Sequence, residues 1–132
     1  MSPFPTIKRL QDVLWAIEGN ESFKVIEKPG YTVVTYGVLG DAFKPLPDFP
    51  SDLDILKFKI HRELRGIKFD STGKILARPL HKFFNLGEKL ESLWENLPTH
   101  LHFYPEEKLD GSMVHPVLLE GKLVLMTKGG IT

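Results

Sequence analysis

An α+β fold built on antiparallel strands is predicted for this 132-residue chain by three observations. Two runs rich in β-branched and aromatic residues flank a Pro29-Gly30 reversal in FKVIEKPGYTVVTYGVL, which reads as strand, turn, strand. A second alternating stretch, LRGIKFDSTGKILARPL, folds back at Ser71-Thr72-Gly73 as a hairpin. Ahead of both, Ile7, Leu10, Leu14 and Ile17 recur at helical spacing in TIKRLQDVLWAIEGN, and Gly19 supplies a stop. The expectation is an N-terminal helix packed on antiparallel strands.

The remaining elements follow in order. GDAFKPLPDFPSD carries three prolines and reads as a loop. LDILKFKI alternates after Ile55 and is expected to be a strand. NLGEKLESLWENLP reads as a short helix ended by Pro98. HLHFYPEEKLDGSMVHPVLLEGKLVLMTKGG reads as a strand, a turn at Lys108, a strand, a reversal at Glu120-Gly121 and a last strand. No repeat, low-complexity run or linker divides the chain, so residues 1–132 are expected to form one domain.

Composition narrows the class. Hydrophobic content of 42% and charged content of 26% are ordinary globular values and exclude a disordered chain. The absence of cysteine excludes a disulfide framework and a zinc-thiolate site, and suits a reducing compartment. No apolar run reaches membrane-spanning length, and MSPFPTIKRL lacks the apolar core of a signal peptide, so a soluble cytoplasmic protein without a membrane partner is expected. With 17 basic and 17 acidic residues, no net charge pulls the whole chain toward nucleic acid. The charges are segregated, however. Residues 57–89 hold nine Lys or Arg against Glu63, Asp70 and Glu88, and Glu91, Glu95, Glu106, Glu107 and Asp110 follow with Lys108 alone among them. A basic segment beside an acidic one suits a phosphate-bearing ligand with a metal ion; taken alone, two solvated faces of ordinary strands and a helix is the favoured reading.

The stretch PEEKLDGSMVHP holds the sharpest motif. Asp-Gly is a common reversal, and Lys108 beside it would ordinarily be solvated. Lys-x-Asp-Gly by itself arises by chance in roughly one chain in thirty of this length. Its company is what makes it specific: RGIKF at 65–69, ARPLHKFFNLGE at 77–88, and TKGG at 127–130, in that order. In these segments the sequence resembles the ATP-dependent RNA ligases of the bacteriophage RNA ligase 1 type, covalent nucleotidyltransferases related to DNA ligases and mRNA capping enzymes. The resemblance is strong from about Leu64 onward and faint before it.

The resemblance implies roles. Lys108 takes the position of the nucleophile that attacks the ATP α-phosphate, releases pyrophosphate and becomes lysyl-adenylate. Such a lysine must shed its proton, which nearby positive charge and partial desolvation favour. Lys128 takes the position of one such neighbour, and also of a group that neutralises the α-phosphate. Arg65 and Lys82 match phosphate-facing positions, Phe84 the second aromatic of a Phe-Phe pair, and Asp110 and Gly111 the rest of the nucleotide-binding turn. Arg65, Lys82, Lys108 and Lys128 are therefore expected to converge on one concave face. ATP and Mg2+ are the implied cofactors, and RNA with 5'-phosphate and 3'-OH ends the implied partner. Each residue also has an ordinary reading: Phe83 and Phe84 as core, Arg65 and Lys82 as solvated strand-edge charges, Gly111 as a turn glycine. His100 and His102 lack a third ligand and make no metal site, and Ser112 with His115 lacks a nucleophile elbow.

In the family the adenylation domain continues beyond the Lys-Gly strand, with a ribose-binding glutamate, a stacking aromatic, a Glu-Gly strand and two triphosphate lysines. The expectation is that residues 1–132 are the N-terminal part of that domain, inactive alone and completed by a complementary C-terminal half. The alternative is a non-catalytic remnant that binds nucleotide, RNA or a protein partner.

Overall fold

Turn chemistry lays out the first sheet. In the computed structural model, which describes residues 4–132, Gly30 takes φ +84° between β1 (Phe23–Lys28) and β2 (Tyr31–Tyr36). Gly73 takes φ +83° between β3 (Ile67–Asp70) and β4 (Ile75–Ala77). Asp70 supports that second turn by accepting from Thr72 N at 2.9 Å and Lys74 N at 3.0 Å. The four strands pair antiparallel in chain order. A second antiparallel sheet holds β5 (His115–Leu119), β6 (Lys122–Thr127) and β7 (Gly130–Ile131). Glu120 and Gly121, both at positive φ (48° and 78°), make the β5–β6 reversal, as the sequence predicts. The fold is a small α+β arrangement with antiparallel sheets and few helices. Met1, Ser2 and Pro3, part of the stretch read for a signal peptide, lie outside the described residues. Among the described residues no helix is long and apolar enough to cross a membrane.

Period-two alternation explains how one sheet serves two layers. Tyr31 and Val33 project toward the second sheet and bury with Val117 and Met126, with Ile26, Leu76, Leu119 and Val124 packed alongside. Val34, Ile67 and Phe69 project from the opposite face and are equally buried. On that face Phe23 meets His61 at 4.6 Å between ring centroids, and Tyr36 meets Phe43 at 4.9 Å.

Four elements differ from the sequence reading. LDILKFKI, expected as a strand, lies inside α2 (Asp52–Glu63). Ser51 decides this: its hydroxyl accepts from Asp54 N at 3.1 Å while Asp54 accepts from Ser51 N at 2.9 Å, a reciprocal cap. The N-terminal helix is shorter than expected, α1 (Gln11–Leu14) followed by a 3₁₀ turn at Trp15–Ile17, because Arg9 bridges Lys74 in extended pairing. The helix expected before Pro98 is two 3₁₀ turns, Leu90–Ser92 and Trp94–Asn96. The strand expected at His100–Tyr104 is absent, and residues 102–110 have no regular structure.

The chain divides into two compact units, one of Met1–Lys82 with Met113–Thr132, the other of Phe83–Ser112. In the first, Glu63 at the end of α2 is tied by Arg78, whose Nε donates to Glu63 Oε2 at 2.9 Å and whose NH2 group donates to Pro5 O at 2.8 Å. The Glu63 side chain is 4% exposed, and a carboxylate at a helix C-terminus opposes the helix dipole. Arg78→Met therefore strands a buried charge and is expected to cost about 3 kcal/mol in chemical denaturation. Adding Glu63→Gln should recover part of the loss; equal losses in single and double variants would refute the pairing.

Candidate functional site

Gly66 sits where a side chain cannot. Its φ is +82°, and a Cβ placed there would stand 2.5 Å from the carbonyl oxygen of Lys128 and 2.8 Å from its Cα. The turn that carries Arg65 into β3 thus lies backbone to backbone against the Lys128-Gly129 turn between β6 and β7.

Beneath that contact lies Lys68. It pairs with Val33 across the first sheet, so its side chain leaves the face turned toward the second sheet, and it is fully buried. Its ammonium donates to Gly66 O at 2.7 Å and to Thr127 O at 2.6 Å. A third contact, 3.4 Å, reaches His115 Nε2, which accepts because an ammonium can only donate; that leaves the ring proton on Nδ1. Burial lowers the Lys68 pKa from 10.5 to about 8. Burial, then the Lys68 charge, lowers that of His115.

The sign of the pH effect follows. Between pH 8 and 10.5 the unfolded chain holds a proton at this lysine that the folded chain has shed, so stability rises with pH across that window. The expected gain is about 3 kcal/mol, read by chemical denaturation at both ends of the window, and Lys68→Met should flatten it. An unchanged slope in Lys68→Met would exclude this lysine as the source.

Tyr36 gathers two of the expected phosphate-facing cations. Lys128 Nζ lies 4.3 Å from its ring centroid and Lys82 Nζ 5.9 Å, with Lys82 also 5.9 Å from the Phe43 ring. Lys82 is anchored by its own backbone N–H, which donates to Arg62 O at 2.6 Å. Arg65, Lys82 and Lys128 all belong to the first unit.

Phe84, Lys108, Asp110 and Gly111 belong to the second unit. Phe84 is half-buried and has Lys89 Nζ 5.8 Å from its ring centroid. Lys108 and Asp110 are exposed on the irregular segment that replaces the expected strand and turn. Gly111 bends the chain at φ +138° with nothing within 4 Å of a Cβ placed there, so its freedom is conformational rather than steric.

Sequence reasoning did not single out Gly66, Lys68, Tyr36 or His115 for this region. Gly66 had a signal, standing directly after Arg65 in the motif. Lys68 lies inside RGIKF, but nothing there gave it a role of its own, since a lysine alternating with Ile67 and Phe69 reads as solvated until the second sheet covers it.

Comparison with known proteins bears on the motif-bearing half directly. A family model described as RNA ligase matches residues 63–132, more than half of the chain. A Thermovibrio ammonificans protein carrying an RNA ligase name is 42% identical over 120 residues, which is 90% of this chain. RNA ligase 1 of bacteriophage TS2126 is 39% identical over 67 residues, 47% of this chain. The chain spans 28% and 17% of the lengths of these two relatives. The matched span contains every residue from Arg65 through Lys128 discussed above, and on it the chain belongs to the RNA ligase family.

Proposed function

We propose that this chain supplies the nucleophile and part of the phosphate-binding surface of an ATP-dependent RNA ligase adenylation domain of the nucleotidyltransferase type. The observation that carries the reading is the family match across residues 63–132, a span that contains Arg65-Gly66, the Lys-x-Asp-Gly-Ser sequence at 108–112 and Lys128-Gly129, in that order. The neutral Lys108 amine attacks the α-phosphorus of ATP; a P–N bond forms as the bond to pyrophosphate breaks, and the amine proton leaves to solvent or the departing phosphate. Arg65, Lys82 and Lys128 hold and neutralise the phosphates in line with the amine. The AMP group then passes to an RNA 5'-phosphate, and a 3'-OH displaces AMP to seal the strand.

Among the described residues no group of three His, Cys, Asp or Glu side chains is arranged to hold a metal ion. Magnesium would be carried on the phosphates of ATP and, when bound, would neutralise charge on the departing pyrophosphate.

The test is intact mass and peptide mapping after incubation with ATP and magnesium. Residues 1–132 fused to, or mixed with, the C-terminal portion of the Thermovibrio ammonificans relative should gain one AMP, on Lys108. The 132-residue polypeptide alone should gain none, because each electrostatic group it leaves to the rest of the ligase is worth on the order of 100-fold or more in rate. An adduct mapping to any other lysine would overturn the assignment.

A further inference from the structure

Lys68 is the fourth residue of RGIKF, and the resemblance implies no role for it, yet it is the most buried cation among the described residues of the first unit. Its two short hydrogen bonds end on backbone carbonyls, not on acids. One belongs to Gly66, the residue after Arg65; the other belongs to Thr127, the residue before Lys128. We propose that Lys68 is a positioning residue: one ammonium, shared by the Gly66 and Thr127 carbonyls, sets the spacing of Arg65 and Lys128 and thereby the geometry of the phosphate-binding surface. The inference rests on the adenylation reading for its functional consequence but not for its structural one.

Three features make the arrangement a spacer rather than filler. One carbonyl lies just before β3 and the other at the end of β6, and Lys68 reaches the second across 59 residues of sequence, so no local hydrogen bond could replace the ammonium between them. Gly66 already lies against the Lys128 backbone, so the contact has no slack toward closer approach, and the ammonium opposes separation. The third donor faces His115 Nε2 on β5, which ties the start of the second sheet to the same point. An apolar side chain of equal length fills the space but leaves both carbonyls without a donor. The groups facing the ammonium are thus two carbonyl oxygens and one neutral imidazole, and the nearest charged residue beyond Thr127, Lys128, directs its own ammonium to the Tyr36 ring.

Two measurements test this. In the 132-residue chain, NMR from pH 6.5 to 10 should show the backbone amide signals of Gly66 and Lys128 shifting together with the midpoint of the Lys68 side chain, about 8. Flat amide signals while the Lys68 side chain titrates would overturn the proposal, and this arm needs no variant to fold and no activity. In the same residues joined to the C-terminal portion of the relative, Lys68→Met should raise the ATP concentration for half-maximal adenylation about tenfold, a displacement effect. Mere loss of folded protein would lower the amplitude and leave that concentration unchanged, and an unchanged concentration counts against the proposal. If the unsubstituted fusion forms no adduct, the adenylation reading fails while the amide titration still decides the role of Lys68.

Discussion

Lys108→Ala, in residues 1–132 completed by the C-terminal portion of a relative, is expected to form no AMP adduct at all. In the proposed mechanism the effect is absolute, because Lys108 Nζ is the atom that forms the covalent bond, unlike a binding group whose loss lowers a rate. Two controls give the result its meaning. Lys128→Ala removes a charge proposed to neutralise the phosphate, and should leave slow adenylation, lower by on the order of 100–1000-fold. Lys89→Ala, in the same unit as Lys108 but outside the motif order, should label like the unsubstituted chain. Folding is a small concern at Lys108, since its side chain is exposed on a segment without regular structure and surface substitutions there change stability little. Residual labelling of Lys108→Ala on a different lysine would mean that the motif lysine is dispensable, and the proposed chemistry would fall with it.

The sheets were legible because their reversals are local. Pro29-Gly30, Ser71-Thr72-Gly73 and Glu120-Gly121 each place a residue that tolerates positive φ between alternating runs, and all three form turns. The two misread strands failed for opposite reasons. In LDILKFKI, Leu56, Phe58 and Ile60 alternate with Lys57 and Lys59, but Leu53, Leu56, Ile60 and Leu64 also follow helical spacing, and the Ser51–Asp54 cap tips the balance. In HLHFY the alternation is present without a partner strand: Leu101, Phe103 and Tyr104 all stay exposed, so nothing repays an extended ladder. The candidate site divides along the same line. Arg65, Lys82, Phe84, Lys108, Asp110, Gly111 and Lys128 came from a motif order that is written in the chain. The Lys68 ammonium came from Thr127 and His115, which are 59 and 47 residues away in sequence, and no local pattern encodes such a meeting.

Gly66→Ala is expected to be the most damaging single methyl in the first unit, lowering stability by about 4 kcal/mol. Two costs add. The residue holds φ +82°, where a Cβ costs roughly 1–2 kcal/mol. The new carbon would also meet backbone on the far side, 2.5 Å from Lys128 O, 2.8 Å from its Cα and 3.0 Å from its C, and backbone cannot rotate away as a side-chain tip can. Relief requires the Arg65 and Lys128 turns to part, which stretches the hydrogen bond from Lys68 to Gly66 O and the one from Gly66 N to Val34 O, now 3.1 Å. Gly121→Ala separates the two costs. Gly121 holds a similar φ of +78° in the β5–β6 turn, but nothing lies within 4 Å of its would-be Cβ, so only the conformational cost of about 1 kcal/mol applies. Denaturation midpoints of the two variants therefore measure the contact by difference. Where Gly66→Ala still folds at low temperature, phosphate binding should also weaken, because the spacing of Arg65 and Lys128 has changed. Equal midpoints for the two variants would mean that the turns separate freely, and the close approach of Gly66 to Lys128 would then hold nothing in place.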